Sequence, residues 1–94
     1  MKEKLIEARD RIKDQKNWCQ GVGARTERGN RTTTNSPFAT QWCAVGSLIR
    51  SGLDGEQLSL LSISMYGKVL TGVNDYLGHE AVMKVFDRAI QEAS

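Results

Sequence analysis

The chain has 94 residues, of which 39% are hydrophobic and 26% charged, and a net charge of +2. That length suits one domain (residues 1–94) with one modest core, and it excludes a second domain. The small net charge argues against a dedicated nucleic-acid binder, and the charged N-terminus with no long apolar run argues against a membrane span or a secretory signal. We therefore expect a cytoplasmic protein without a membrane partner.

The first predicted element is an amphipathic helix over residues 2–16. Leu5, Ala8 and Ile12 recur at helical spacing and predict one narrow apolar stripe. Glu7 stands four residues before Arg11, in the order that favours an ion pair on a helix surface.

Residues 21–36 differ from the rest of the chain in composition. They contain three glycines, four threonines and almost no large apolar side chain. This composition is typical of an exposed loop or of a short β-hairpin that turns at residues 28–30, where Gly29 and Asn30 can supply positive φ angles. We favour the hairpin.

A second helix is predicted between Ser36 and Gly52. Ser36 suits the N-cap, Pro37 the first helical position, and Gly52 the end. The large apolar residues that would share one face of this helix are Phe38, Trp42, Val45 and Ile49. A neighbouring stripe of small residues, which would let another segment approach closely, comprises Ala39, Cys43 and Gly46.

Two further helices complete the predicted fold. The third runs over about residues 55–70 behind Asp54, and its apolar residues are Leu58, Leu60, Leu61, Ile63, Met65, Val69 and Leu70. The fourth covers residues 79–92, with a stripe made by Val82, Val85, Phe86, Ala89 and Ile90. The expected fold class is mostly α: a small four-helix domain with a long polar loop or short hairpin between its first two helices.

Both tryptophans of the chain are followed directly by its two cysteines, as Trp18-Cys19 and Trp42-Cys43. A core this small must shield its largest apolar groups, and free cysteine is among the most buried residue types. We therefore interpret Trp18, Trp42 and Cys43, together with Phe86, as structural core. Without a signal sequence, the cysteines are expected to be free thiols in a reducing compartment, and a disulfide between Cys19 and Cys43 is the alternative.

The order of several short motifs resembles a family of small bacterial and phage proteins without an assigned function. The motifs are WCQG, WCAVGSL, an Asn-Asp pair, a histidine that opens a helix, and VFDRAI. The matching residues are Trp18, Cys19, Trp42, Cys43, Asn74, Asp75, His79, Phe86 and Asp87. The resemblance implies a bacterial or phage accessory protein and no particular activity.

The function that we favour from the sequence is that of a non-enzymatic binding module. Arg25, Arg28 and Arg31 are spaced by three in the polar segment, where their guanidinium groups can converge on carboxylates or phosphates. The first fifty residues carry ten Lys/Arg and five Asp/Glu, whereas the remainder carries three and six, so the surface should be polarised. We expect a protein partner with an acidic surface; nucleic acid is a weaker alternative, because no aromatic residue is interleaved with the basic ones. Phage proteins of this size often inhibit a larger complex of the host cell. On that general ground, and not from particular residues, we expect the protein to inhibit a larger host defence complex.

Two other readings use the cysteines and the single histidine. A thiol hydrolase would need Cys19 as nucleophile, His79 as base, and Asp75 or Asn74 to orient the imidazole. A structural zinc site would need Cys19, Cys43, His79 and Asp75, but these residues are isolated and lack the short spacing of zinc knuckles. We therefore predict no metal and no cofactor.

Overall fold

In the computed structural model, which describes residues 1–93, the chain forms five α-helices, three short β-strands, a 3₁₀ turn and a π-helical turn. The small, largely helical fold class is confirmed, but the count of four helices is wrong. In chain order the elements are α1 (Lys2–Lys13), the 3₁₀ turn (Gln15–Asn17), β1 (Ala24–Thr26), β2 (Arg31–Thr32), β3 (Ala39–Trp42), α2 (Ala44–Arg50), α3 (Glu56–Tyr66), α4 (Leu70–Gly72), the π turn (Val73–Leu77) and α5 (His79–Glu92).

The hydrophobic core lies between α1, α2 and α5, with α3 packed against α5, and α4 packed against α2 and α3. As the helical spacing predicted, Leu5, Ala8 and Ile12 of α1 are all buried. An ion pair between Arg9 and Asp87, with 3.1 Å between Nη1 and Oδ1, joins α1 to α5 at the surface. The remaining buried members of this core are Ala44, Leu48, Leu58, Leu70, Val73, Val82, Val85 and Phe86.

The three strands form one antiparallel sheet in the order β2-β1-β3. A hairpin is present in the predicted segment, but β1 and β2 are joined by residues 27–30, where a turn at 28–30 was predicted. The Thr26 amide donates to the Asn30 carbonyl, and Gly29 adopts a φ of 83°. Such loops need a residue with a left-handed backbone conformation at this point, and glycine adopts that conformation without strain. The third strand, which pairs with β1 on the side away from β2, was not predicted.

The predicted helix from Ser36 to Gly52 is wrong in its first half. Residues Ala39–Trp42 form β3, and α2 begins only at Ala44, with Cys43 as its N-cap. Ser36 does start a turn, because its side chain accepts from the Phe38 amide and its carbonyl from the Ala39 amide. Pairing with β1 then outweighs the local helical signal, and the chain leaves the turn as a strand.

The region between α3 and α5 also differs from the prediction. α3 ends at Tyr66 and is capped by Gly67 with a φ of 74°. The chain resumes as α4 and passes directly into the π turn, whose i to i+5 hydrogen bond joins the Gly78 amide to the Val73 carbonyl. Of the apolar residues that the prediction assigned to the third helix, Leu60, Ile63 and Val69 are exposed.

None of the helices in residues 1–93 has both the length and the apolar character that crossing a membrane requires.

Candidate functional site

The side chain of Asn74, which is only 1% exposed, connects three separate segments of the chain. Its Oδ1 accepts from the Trp18 indole at 2.7 Å and from the Ala44 amide at 2.9 Å. Its Nδ2 donates to the Cys19 carbonyl and to Asp75 Oδ1, each at 3.0 Å. A carboxamide has two donor hydrogens and two acceptor lone pairs, and each of these makes one hydrogen bond here. The π turn places the Asn74 carboxamide within reach of all four partners.

Asp75 extends this arrangement to the surface. Its Oδ1 accepts from the Gly21 amide at 3.0 Å, while the Gln20 side chain donates to the backbone carbonyls of Asn74 and Asp75. The π turn is thus attached to the segment that follows Cys19. We call the group formed by Trp18 to Gly21, Cys43, Ala44, Asn74 and Asp75 the polar junction.

The two cysteines lie within the polar junction as free, buried thiols. Cys19 donates its thiol proton to the Val22 carbonyl with 3.8 Å between the atoms, and Cys43 Sγ accepts from the Gly46 amide at 3.3 Å. Burial raises the pKa of the Cys19 thiol to about 11, and Cys43 nearby adds to the rise. Burial also raises the pKa of Cys43. Both thiols are therefore protonated at neutral pH, whereas a nucleophilic thiol needs a lowered pKa.

His79 is occupied by structural contacts. Its Nε2 lies 2.7 Å from the Ile12 carbonyl oxygen, which can only accept, so Nε2 carries the proton in this contact. The ring also packs edge-on against Trp18, with 5.2 Å between the ring centroids. Within residues 1–93 no hydrogen bond joins Cys19, His79 and Asp75 to one another in the way that a catalytic triad requires.

The four residues considered for the alternative zinc site, Cys19, Cys43, His79 and Asp75, are not assembled into a metal site. In the part of the chain that the structure describes, no three His, Cys, Asp or Glu side chains are placed to hold one metal ion. Cys43 caps a helix, Asp75 binds a backbone amide, and His79 contacts Ile12.

Trp42 is half-buried, and two arginines lie over its ring. The guanidinium carbons of Arg11 and Arg50 are 5.7 and 5.5 Å from the ring centroid, a cation–π distance. The indole nitrogen donates to the Thr34 carbonyl at 3.0 Å. Trp18 is half-buried as well, whereas Phe86 is fully buried.

The three arginines predicted to bind a partner all lie on the hairpin, but in two different environments. Arg25 and Arg31 are directly opposite each other across β1 and β2, so their side chains share one face of the sheet. Arg25 is half-buried, and its guanidinium donates to the carbonyls of Gly29 and Gln20 at 3.0 and 3.3 Å. Arg28 and Arg31 are exposed and make no ion pair or side-chain hydrogen bond with residues 1–93.

Phe38 is a candidate binding residue that the sequence reasoning missed, because it was assigned to a buried helix face. Its side chain is 74% exposed at the start of β3. It lines a shallow surface cavity of about 440 Å³ with Pro37 and Arg28, and the other lining residues are Thr26, Glu27 and Thr40. The available signal was the Ser-Pro turn directly before it, which could have ended in a strand.

The chain belongs to a family of unknown function, DUF6197, whose model matches residues 1–92. The resemblance to a family without an assigned function is thereby confirmed. No curated protein and no solved structure matches the chain.

Proposed function

We propose that this family member is a non-enzymatic accessory binding module that holds an acidic protein surface against its hairpin through Arg28, Arg31 and Phe38. The observation that carries the proposal is the exposed Phe38 ring beside an unpaired arginine on one shallow cavity. Aromatic and arginine side chains are enriched among the residues that contribute most to binding energy at protein interfaces.

The electrostatics of the hairpin favour a negatively charged partner. Residues 24–32 contain three arginines and one glutamate, which gives a local charge of +2. Like charges directly opposite each other on neighbouring strands destabilise a sheet, as Arg25 and Arg31 are here. A carboxylate bound between them would relieve that repulsion and gain charge-assisted hydrogen bonds.

Arg25 has a supporting role in this proposal. Its hydrogen bond to the Gly29 carbonyl holds the turn that carries Arg28, and its hydrogen bond to the Gln20 carbonyl holds the segment before β1. Arg25 therefore shapes the surface and contributes charge. A module of this size can act by occupying a surface of a larger bacterial host complex, and inhibition of such a complex is the biological role that we propose. The buried free thiols fit the reducing cytoplasm in which that complex would be met.

Capture of partners from a bacterial lysate, followed by affinity measurement on the purified pair, tests the proposal. The double variant Arg28→Glu/Arg31→Glu should weaken binding about thirtyfold, which corresponds to about 2 kcal/mol, and Phe38→Ala should weaken it about tenfold. Arg88→Glu, which reverses an exposed arginine on α5, is the matched control and should bind like the parent.

Two results would overturn the proposal. Unchanged affinity of the double variant would show that the hairpin is not the binding surface. Loss of capture after nuclease treatment would assign the hairpin to nucleic acid, with Phe38 as a base-stacking ring beside Arg28.

A further inference from the structure

A second cavity, separate from the hairpin surface, lies between the segment 21–23, the start of α2 and the π turn. Its volume is about 300 Å³, which is at the lower end of the range for small-molecule sites. Val22, Val45 and Ile49 supply apolar walls, and Thr71, Cys43 and Asp75 supply polar groups. Arg28, Arg31 and Phe38 do not line it.

The walls of this cavity are held in place by close backbone packing. The Cys43 amide donates to the Gly23 carbonyl at 3.1 Å, which fixes segment 21–23 against the start of α2. A Cβ atom added at Gly46 would lie 2.0 Å from the same carbonyl oxygen, so only glycine permits this approach. The fully hydrogen-bonded Asn74 fixes the opposite wall. The cavity is therefore preformed, which lowers the entropic cost of binding a ligand.

The charge of the lining is carried by Asp75. Its Oδ1 is occupied by the Gly21 amide and the Asn74 carboxamide, whereas Oδ2 makes no hydrogen bond within residues 1–93. The described lining contains no lysine, arginine or histidine. The one charged side chain that a ligand would meet here is therefore the exposed carboxylate of Asp75, beside an apolar wall.

We propose that this cavity binds a small organic cation, a primary amine with a short branched apolar body. The ammonium group would donate to Asp75 Oδ2, and the apolar body would pack on Val22, Val45 and Ile49. The negative charge of Asp75 would repel an anionic ligand, and a neutral ligand could not make the charge-assisted hydrogen bond. The inference does not depend on the proposed function of the hairpin.

Three probes of similar shape test the charge preference in the intact chain: 3-methylbutylamine, 3-methylbutanol and 3-methylbutanoate. They are titrated at pH 7 while backbone amide shifts are followed by NMR. We expect saturable shifts from the amine at Val22, Val45, Gly46 and Asp75, at least tenfold weaker binding of the alcohol, and no saturation by the carboxylate. Equal binding of amine and carboxylate, amine shifts confined to other regions, or no amine binding would overturn the proposal.

Two pairs of variants assign the site. Asp75→Asn keeps the Oδ1 acceptor for Gly21 but removes the charge, and it should weaken amine binding at least tenfold, whereas Asp10→Asn on α1 should not. Ile49→Lys places a positive charge in the cavity wall and should abolish amine binding. Ile63→Lys is its control, because both isoleucines are similarly exposed, at 42% and 45%, and only Ile49 lines the cavity. Amine binding that survives both Asp75→Asn and Ile49→Lys would contradict the assignment.

Discussion

Phe86 and Asn74 are both almost inaccessible to solvent, yet different forces act on them. Phe86 packs among aliphatic side chains of the helices, where shape and apolar area determine stability. Asn74 lies in the polar junction, where each of its donor and acceptor sites has one defined partner. The core around Phe86 should therefore tolerate apolar substitutions that preserve volume, whereas the junction should tolerate only changes that preserve hydrogen-bonding capacity.

The largest expected effect comes from emptying the apolar core. Phe86→Ala removes a fully buried ring and should lower the free energy of unfolding by about 3–5 kcal/mol, because a cavity remains. Phe86→Leu should cost clearly less, since most of the volume is kept. Urea unfolding followed by circular dichroism measures both. Equal losses for the two variants would contradict the view that volume determines stability here.

The second-largest effect is expected at the polar junction, where stability should depend on hydrogen bonding and not on side-chain volume. Asn74→Leu keeps the number and branching of the side-chain heavy atoms but leaves the Trp18 indole and the Ala44 amide without acceptors. Each buried unsatisfied group costs about 1–3 kcal/mol, and the Trp18 indole is only half-buried, so we expect a total loss of about 2–4 kcal/mol in the same urea experiment. Since Asn74→Ala orphans the same groups, it should be similarly unstable. A leucine variant as stable as the parent would remove the distinction between the two regions.

A smaller, pH-dependent effect is expected from Cys19. Its pKa is raised to about 11 in the folded chain, above that of an unfolded thiol. As pH rises, the unfolded chain therefore loses this proton before the folded chain does. The contribution of the buried thiol to the free energy of unfolding is complete below a pH of about 8.5 and is lost as the pH rises toward 11. Cys19→Ala should flatten the fall in melting temperature over this window. An unchanged pH profile in that variant would contradict the burial of the thiol.

The reactivity of the Cys19 thiol distinguishes the proposed binding module from the alternative hypothesis of a thiol hydrolase. A protonated, buried Cys19 should react with iodoacetamide at pH 7 more slowly than a model thiol, and His79→Ala should not slow the reaction further. Peptide mass spectrometry distinguishes Cys19 from Cys43. Rapid alkylation that depends on His79 would favour the hydrolase.

The smallest expected effects compare two arginines of one hairpin. Arg25→Ala removes two hydrogen bonds to backbone carbonyls and should cost about 1 kcal/mol, whereas Arg28→Ala at the exposed tip should stay within about 0.5 kcal/mol. Thermal unfolding of the two variants side by side measures the difference. If both melt like the parent, Arg25 does not support the turn.

The sequence predicted the apolar half of the molecule better than the polar half. Leu5, Ala8 and Ile12 repeat at helical spacing because one face of α1 is buried, so periodicity reports their positions directly. Trp42 and Phe38 also fit a helical repeat, but pairing between β3 and β1 depends on contacts that are distant in sequence. Local propensity does not contain that information.

The candidate site shows the same limit. The arginines could be placed on a hairpin because glycine and asparagine mark its turn. For Asn74 the sequence indicated membership of a motif but no structural role. Its hydrogen-bond partners Trp18, Cys19 and Ala44 come from segments about 30 to 56 residues away. Phe38 was assigned to the interior, because exposure of an aromatic ring depends on where the neighbouring strand ends.

The π turn makes the length of one segment more important than its composition. The hydrogen bond from Gly78 to Val73 spans one residue more than an α-helical bond, so Val73–Leu77 contains a residue that a regular helix would omit. Deleting a residue there would restore α-helical spacing and rotate the flanking segments relative to each other by about 100°. The Asn74 carboxamide would then face away from Trp18 and Ala44. Single-residue deletions should therefore be harmful in the π turn even where substitutions are mild, whereas an insertion at the tip of the hairpin, between Arg28 and Gly29, would lengthen only an exposed loop.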